Sequence, residues 1–213
     1  MKLTVFGATG GIGQEVVKQA LAAGHQVTAV VRDPARLTVT GDALDVFRSD
    51  LRDAEALREA VEGRDAVLSG LGARSNADAR TGIAARLTRP VLRALDATGT
   101  RRFVAVTAGP LAPEPDDQKF LHRSVVVPLI NKVLKPVYDD LKAMEAEVRS
   151  SATDWTFVRP PKLLDRPLTG TYRTALNVNL RGGSTIGRAD VAHAMLALSD
   201  DPATVKQGVS VAY

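Results

Sequence analysis

The chain contains no cysteine in its 213 residues. Disulfides, thiolate zinc sites, iron–sulfur clusters and a cysteine nucleophile are thereby excluded, and the composition fits a reducing compartment. Aromatic residues make up only 4% of the chain, so Val, Leu, Ile and Ala must supply most of the core. No apolar run approaches the roughly 18 residues a membrane span needs; the longest, 125–130, is short and broken by Pro128. The opening MKLTVFGATG reads as a strand entering a glycine turn rather than a signal peptide, and a cytoplasmic location is expected. There is no G-x-S-x-G elbow. His25, His122 and His193 lack metal-ligand spacing and triad acids, so no metal is expected. Runs of like charge are absent as well. The 28 Lys and Arg interleave with 24 Asp and Glu to leave a net charge of +4, which argues against nucleic acid and suits a ligand carrying several phosphates.

What is present is alternation. Short apolar runs at 3–6, 26–31, 44–48, 66–71, 103–107, 155–158 and 209–212 read as strands, several apolar on both faces as in a buried parallel sheet. Between the first two, Ile12, Val16, Val17, Ala20 and Leu21 share one helical face, and Gly24 closes that helix as a C-cap. Further helices are predicted at 54–61, 78–98, 138–150 and 188–199. This order predicts one α/β domain over 1–213: a Rossmann-type doubly wound parallel sheet with helices on both faces. The irregular stretch is 109–136, which holds five prolines and reads as a lid, a binding loop or an extra helix. A Gly-rich segment at about 161–187 (Gly170, Gly182, Gly183) predicts a small C-terminal substrate lobe.

Gly7-x-x-Gly10-x-x-Gly13 follows the first strand and opens the first helix. Glycines there permit a tight turn and close backbone approach, and the helix N-terminus offers free N–H groups to a pyrophosphate. Thr9, Gly11 and Ile12 complete this loop. In NAD-binding chains an acid stands about 20 residues on; here Arg32, 19 residues after Gly13, occupies that strand end. Asp33-Pro34 reads as an N-cap and first helical residue that would bring Arg36 one turn from Arg32. Two guanidiniums suit a 2′-phosphate, predicting NADP(H); the alternative is a solvated Arg32 with Asp33 on the ribose. Asp50 and Leu51 follow the third strand, where adenine lies in this fold. Gly70, Leu71 and Gly72 follow the fourth, beside ribose and pyrophosphate, with Arg74 facing either phosphate or solvent.

Thr107 ends the fifth strand at the ligand edge of the sheet. Tyr138 and Lys142, at i and i+4, share a helix face, and a Ser/Thr, Tyr, Lys set of this kind moves the proton in many short-chain dehydrogenases. The competing reading makes Lys142 the centre of an exposed salt-bridge set with Asp139 and Glu145. Asp139 or Asp140 as proton donor is a further option.

Several segments together, VVRDPARL, SGLGAR, VTAGPL, DWTFVRPPKLLDRPLTGTY and GRADVAHAML, resemble the atypical short-chain dehydrogenases related to biliverdin reductase B, the NADPH flavin reductases, and the broader NAD(P)H-binding, NmrA-like set. The resemblance spans essentially the whole chain. It implies phosphate contacts at Thr9 to Gly13, 2′-phosphate contacts at Arg32 and Arg36, and adenine contacts at Asp50 and Leu51. It places Leu71, Gly72 and Arg74 over the pyrophosphate and Thr107 and Ala108 beside the nicotinamide. It assigns Pro160, Pro161 and Lys162 to the nicotinamide-side turn. Ala108 stands where the family has a serine, Tyr138 has no counterpart in the flavin reductase, and the insertion at 118–136 is longer than there.

Three functions follow as expectations. The first is an NADPH-dependent reductase of a flavin, quinone or similar flat acceptor, roofed by Pro128, Leu129 and Ile130, acting as monomer or homodimer. The second is a non-catalytic NADP(H)-sensing regulator of the NmrA-like kind. The third is a Tyr-dependent carbonyl reductase or epimerase.

Overall fold

A computed structural model of the chain describes residues 1–114 and 127–213. In chain order it runs β1 (Lys2–Phe6), α1 (Gly11–Ala22), β2 (Gln26–Val31), β3 (Leu44–Arg48), α2 (Arg58–Val61), β4 (Ala66–Ser69), α3 (Asn76–Arg80), α4 (Ile83–Thr98) and β5 (Arg102–Val106). It continues with α5 (Val127–Ser150), β6 (Asp154–Arg159), β7 (Lys162–Leu164), β8 (Arg173–Leu176), β9 (Thr185–Gly187), α6 (Arg188–Ser199) and β10 (Gln207–Ala212).

One eight-stranded sheet is ordered β3-β2-β1-β4-β5-β6-β10-β8. Every neighbouring pair in it is parallel except β10 with β8. The chain builds outward from β1 to β3, then crosses over and builds the other way through β4. Adjacent crossovers therefore leave in opposite directions at β1 and β4, and the crevice beyond their carboxyl ends is where such sheets bind ligands. The expected doubly wound fold is the observed one.

Strand periodicity divides the core. Leu3 and Val5 face a cluster with Val16, Val17 and Ala20 of α1 and Val191, Ala192 and Met195 of α6. Phe6 faces the other cluster, with Val91 and Leu95 of α4, Met144 and Val148 of α5, and the rings of Phe103 and Phe157. Each fully buried Phe contributes roughly 1.5–3 kcal/mol. Trp155, 8% exposed, stacks on Phe157 at 4.4 Å and is core, as expected. Gly24 ends α1 as expected: at φ +79° its N–H donates to the Leu21 carbonyl while His25 N–H reaches Ala20, a Schellman closure.

Three helix boundaries differ from the sequence reading. The helix expected at 78–98 is two, because Gly82 takes a left-handed φ of +65° and the chain restarts at Ile83. The helix expected at 54–61 keeps only its last turn, Arg58–Val61. The third difference is at α5, which starts at Val127 rather than 138 and contains Pro136. Proline inside a helix removes a donor and costs about 3 kcal/mol, which is why the pattern seemed to stop there. Asn76 Nδ2 donates to the Val133 carbonyl at 3.0 Å, supplying an outside donor in the turn that Pro136 disrupts. Of the three readings of 109–136, the extra helix is therefore the observed one from Val127 onward. The expected roof residues Pro128, Leu129 and Ile130 have side chains outside the described residues, as does all of 115–126, His122 included.

After Pro161 the chain forms the two-stranded parallel pair β7–β9 and the antiparallel edge strand β8. Among the described residues no helix is long and apolar enough to cross a membrane.

Candidate dinucleotide site

The loop from β1 to α1 is shaped by backbone meeting backbone. Gly7 has φ +72°, and a Cβ there would lie 2.7 Å from the carbonyl carbon of Gly70. A Cβ on Gly13 would lie 2.2 Å from the Gly7 oxygen. The glycines therefore pack the turn against the end of β4 and against itself. Gly10 N–H closes the turn on Gly7 O at 2.9 Å, and the helical ladder begins with Gln14 N–H to Gly10 O. The N–H groups of Gly11, Ile12 and Gly13 have no backbone acceptor among the described residues. Three unpaired donors at the positive end of a 12-residue helix fit a pyrophosphate.

Arg32 leaves the carboxyl end of β2 exposed, and no carboxylate among the described residues pairs with it or with Arg36. Asp33 caps the 3₁₀ turn Pro34–Arg36, its Oδ1 accepting from Ala35 N–H at 3.2 Å. That agrees with the cap reading of Asp33. The turn is tied back to α1: Gln14 Oε1 accepts from both the backbone N–H and the hydroxyl of Thr38. One residue of the phosphate-loop helix thus fixes the segment that carries both arginines.

Beside Arg32 lies a cleft of about 360 Å³ between the loop after β3 and α4, lined by Asp50, Leu51, Arg52, Ile83 and Arg86 among others. Leu51 is 5% exposed and held at φ +63°, a strained conformation for a branched residue of the kind retained where the surroundings impose it. Ser69 Oγ accepts from Leu71 N–H at 3.4 Å, turning the chain after β4, and Gly72 and Arg74 are exposed. Arg52 and Arg86 were missed by sequence reasoning. Arg52 lies two residues from Asp50, to which it also pairs at 3.4 Å, and was within reach of the same argument. Arg86 arrives from a helix far along the chain with no local signal.

The proton-transfer candidates are less assembled. Thr107 is 6% exposed, its N–H bonds to Val158 O at 2.8 Å, and its hydroxyl is buried without a partner among the described residues. Tyr138 is half-buried, and burial raises its hydroxyl above the ordinary tyrosine range. Lys142 is exposed and forms no ion pair with either acid named for it. Asp139 pairs with Lys135, and Glu145 is 3% exposed, bound to Arg159 and Arg149. The salt-bridge set expected around Lys142 is therefore absent, because helix spacing leaves open which of two cations an acid faces. Asp140 is not available as a proton donor: its carboxylate accepts from Ala84 and Ala85 N–H, capping α4 where Gly82 restarts it.

At the carboxyl ends of β5 and β6, Gly109 N–H bonds to Pro160 O at 2.8 Å, joining the loops after those strands next to Ala108. Pro160 is buried and Pro161 half-buried, while Lys162 opens β7 with its side chain exposed. The L-T-G-x-Y segment is anchored by Asp190, which is fully buried. Its carboxylate accepts from Thr169 N–H and hydroxyl, Gly170 N–H and the Tyr213 hydroxyl. Burial pushes this carboxyl upward, but those hydrogen bonds outweigh it and hold it below the usual range. Tyr172 hydroxyl meets His193 Nδ1 at 2.8 Å, so that histidine packs a loop onto α6.

The site can be set beside known proteins. A model of the NAD(P)H-binding family matches residues 7–202. The uncharacterized protein YwnB of Bacillus subtilis (strain 168) is 30% identical over 214 residues, covering 95% of this chain and 93% of that protein. The (4-alkanoyl-5-oxo-2,5-dihydrofuran-3-yl)methyl phosphate reductase of Streptomyces griseus is 30% identical over 167 residues, covering 78% of this chain but 50% of the enzyme. Among solved structures, a Streptococcus pneumoniae TIGR4 protein with the provisional name NADH-flavin reductase aligns with a TM-score of 0.78 and 25% identity, over 100% of this chain and 99% of its own.

Proposed function

Since the chain belongs to the NAD(P)H-binding family, we propose that it is an NADPH-dependent oxidoreductase that reduces a flavin, quinone or similar flat conjugated acceptor. The observation that carries the cofactor choice is the pair Arg32 and Arg36, both without carboxylate partners among the described residues and both on the segment that Gln14 and Thr38 fasten to the phosphate-loop helix. A 2′-phosphate would satisfy them by charge-assisted, two-pronged hydrogen bonds. The N–H groups of Gly11, Ile12 and Gly13 would hold the pyrophosphate, and the cleft at Asp50, Leu51 and Arg86 the adenine.

When bound, the dinucleotide supplies the hydride. The chain's own contribution is orientation. Thr107 Oγ, buried and unpaired, is the polar group at the carboxyl edge of β5 that would align an acceptor or the carboxamide beside it. Pro160, Pro161 and the Gly109 contact would form the wall of that end, and Ala108 leaves it without a second hydroxyl.

A tyrosine base is disfavoured on physical grounds. Such a base needs a lowered pKa, whereas burial raises that of Tyr138 and no cation pairs with its hydroxyl among the described residues. A flavin or quinone takes its proton from water after hydride arrival, so that the reaction needs no buried acid. The provisional name of the S. pneumoniae protein points the same way.

The test is anaerobic NADPH oxidation against a panel of flavins and quinones, with NADH alongside. Turnover with at least one acceptor, retained in Tyr138→Phe, is the expected result. Tight NADPH binding with no turnover for any acceptor would overturn the reductase reading in favour of a dinucleotide sensor. Loss of turnover in Tyr138→Phe would favour the tyrosine-dependent carbonyl chemistry.

A further inference from the structure

Arg188 crosses the phosphate loop from the opposite side of the sequence. It is the first residue of α6, and its stem lies over Gly11, the first residue of α1: a Cβ on Gly11 would stand 2.7 Å from Arg188 Cδ and 3.0 Å from its Nε. The absence of a side chain at Gly11 thus makes room for an arginine as well as for a ligand. Arg188 Nη1 contacts Asp165 Oδ1 at 2.5 Å. The two residues meet through strand register, because β7 and β9 pair in parallel with Leu164 opposite Gly187, and each chain's next residue is Asp165 or Arg188.

This placement suits an anion. A cation in the first turn of a helix opposes the macrodipole, which favours acids there. Here the arginine sits in the first turn of α6 with its stem at the first turn of α1, whose N–H groups at 11 to 13 are themselves unpaired. Asp190 answers the α6 dipole from the same first turn, but its carboxylate is taken up by Thr169, Gly170 and Tyr213. The guanidinium itself pairs with Asp165, whose side chain is 90% exposed, so that water screens the pair heavily. An exposed ion pair of this kind is worth little and exchanges easily. A bound diphosphate would bring negative charge to both helix ends and to the guanidinium at once.

We propose that Arg188 is a pyrophosphate-binding residue, released from Asp165 by the incoming diphosphate and linking the β7–β9 lobe to the phosphate loop. This rests on the dinucleotide reading of the loop and extends it to the second helix. Because the pyrophosphate is common to both nicotinamide cofactors, Arg188 acts on affinity without choosing between them. Asp165 acts as its competitor.

Binding is to be measured by titration calorimetry of the full chain with NADPH, NADH, ADP-ribose and 2′-AMP. The expected result for Arg188→Ala is a loss of about tenfold for NADPH, NADH and ADP-ribose alike, with 2′-AMP unchanged because it has no pyrophosphate. Asp165→Asn should tighten ADP-ribose severalfold, and Arg188→Lys should recover part of the loss. Unchanged ADP-ribose affinity in Arg188→Ala overturns the proposal, as does an equal loss for 2′-AMP, which would mark a general structural defect. Wild-type protein that bound none of the four ligands would instead overturn the dinucleotide reading itself.

Discussion

Arg159, at the carboxyl end of β6, grips Glu145 of α5 with two prongs, Nε to Oε1 at 3.1 Å and Nη2 to Oε2 at 2.8 Å, in a contact where neither side chain is more than 5% exposed. A Cβ on Gly208 would lie 2.5 Å from Arg159 Nη1, so β10 leaves a gap for the guanidinium. The pair fixes α5, and with it Tyr138, against the strand that leads into Pro160.

Removing one partner of such a pair leaves a charge buried alone. Glu145→Ala is therefore expected to cost about 3–5 kcal/mol, read by urea unfolding. Replacing both at once, Glu145→Leu with Arg159→Met, should cost much less than the single change. Equal costs for the single and double variants would contradict the pairing.

The arginines at the end of β2 give a cofactor prediction. Arg32→Ala with Arg36→Ala should weaken NADPH by more than about a hundredfold, each lost charged contact being worth roughly 1.5–3 kcal/mol, and leave NADH nearly unchanged. Titration with both dinucleotides decides it. A wild-type chain with equal affinity for the two would remove the basis of the argument.

Gly13 is expected to tolerate no side chain. Gly13→Ala would force a methyl to 2.2 Å from the Gly7 oxygen, backbone that cannot step aside. The cost should reach or exceed the roughly 1–3 kcal/mol of ordinary overpacking, with dinucleotide binding lost as the turn opens. Gly24→Ala makes a useful contrast. It should destabilise through its positive φ alone, since nothing lies within 4 Å of the added carbon, and leave binding intact.

Asp190 gives a pH prediction. Its folded-state pKa lies below the ordinary value, so its stabilisation is fully present above about pH 3.9 and is lost as pH falls through the folded value. The wild-type chain should hold this contribution from neutral pH down to about 5 and shed it below about 4. Asp190→Asn should be less stable at neutral pH and flatter across the acid range. Amide exchange at Thr169 and Gly170, whose N–H groups bond to this carboxylate, reports the same change locally.

Much of this was legible in the sequence because it is local. Gly7, Gly10 and Gly13 with the apolar face of α1, the capping Asp33-Pro34 pair, and Arg32 at a strand end are read from a few neighbouring residues. Partnerships across the fold were not. Glu145 lies near Lys142 in sequence and Arg159 in space, and the i+3 spacing offers no hint that burial selects the arginine. Asp140 caps a helix whose start, at Ile83, exists only because Gly82 breaks the pattern that seemed continuous. Pro136 hid the front half of α5. Arg86 and Arg188 reach the site from helices that a linear scan has no reason to connect with the glycine turn.

The Asp190 cluster and the edge of the sheet meet in a single residue. The Tyr213 ring hydroxyl donates to Asp190 at 2.6 Å, and its backbone oxygen accepts from Arg173 of β8 at 2.5 Å. Only the first of these contacts needs the hydroxyl, so the two can be separated by one substitution. Tyr213→Phe is expected to loosen the L-T-G-x-Y loop while leaving β8 in place.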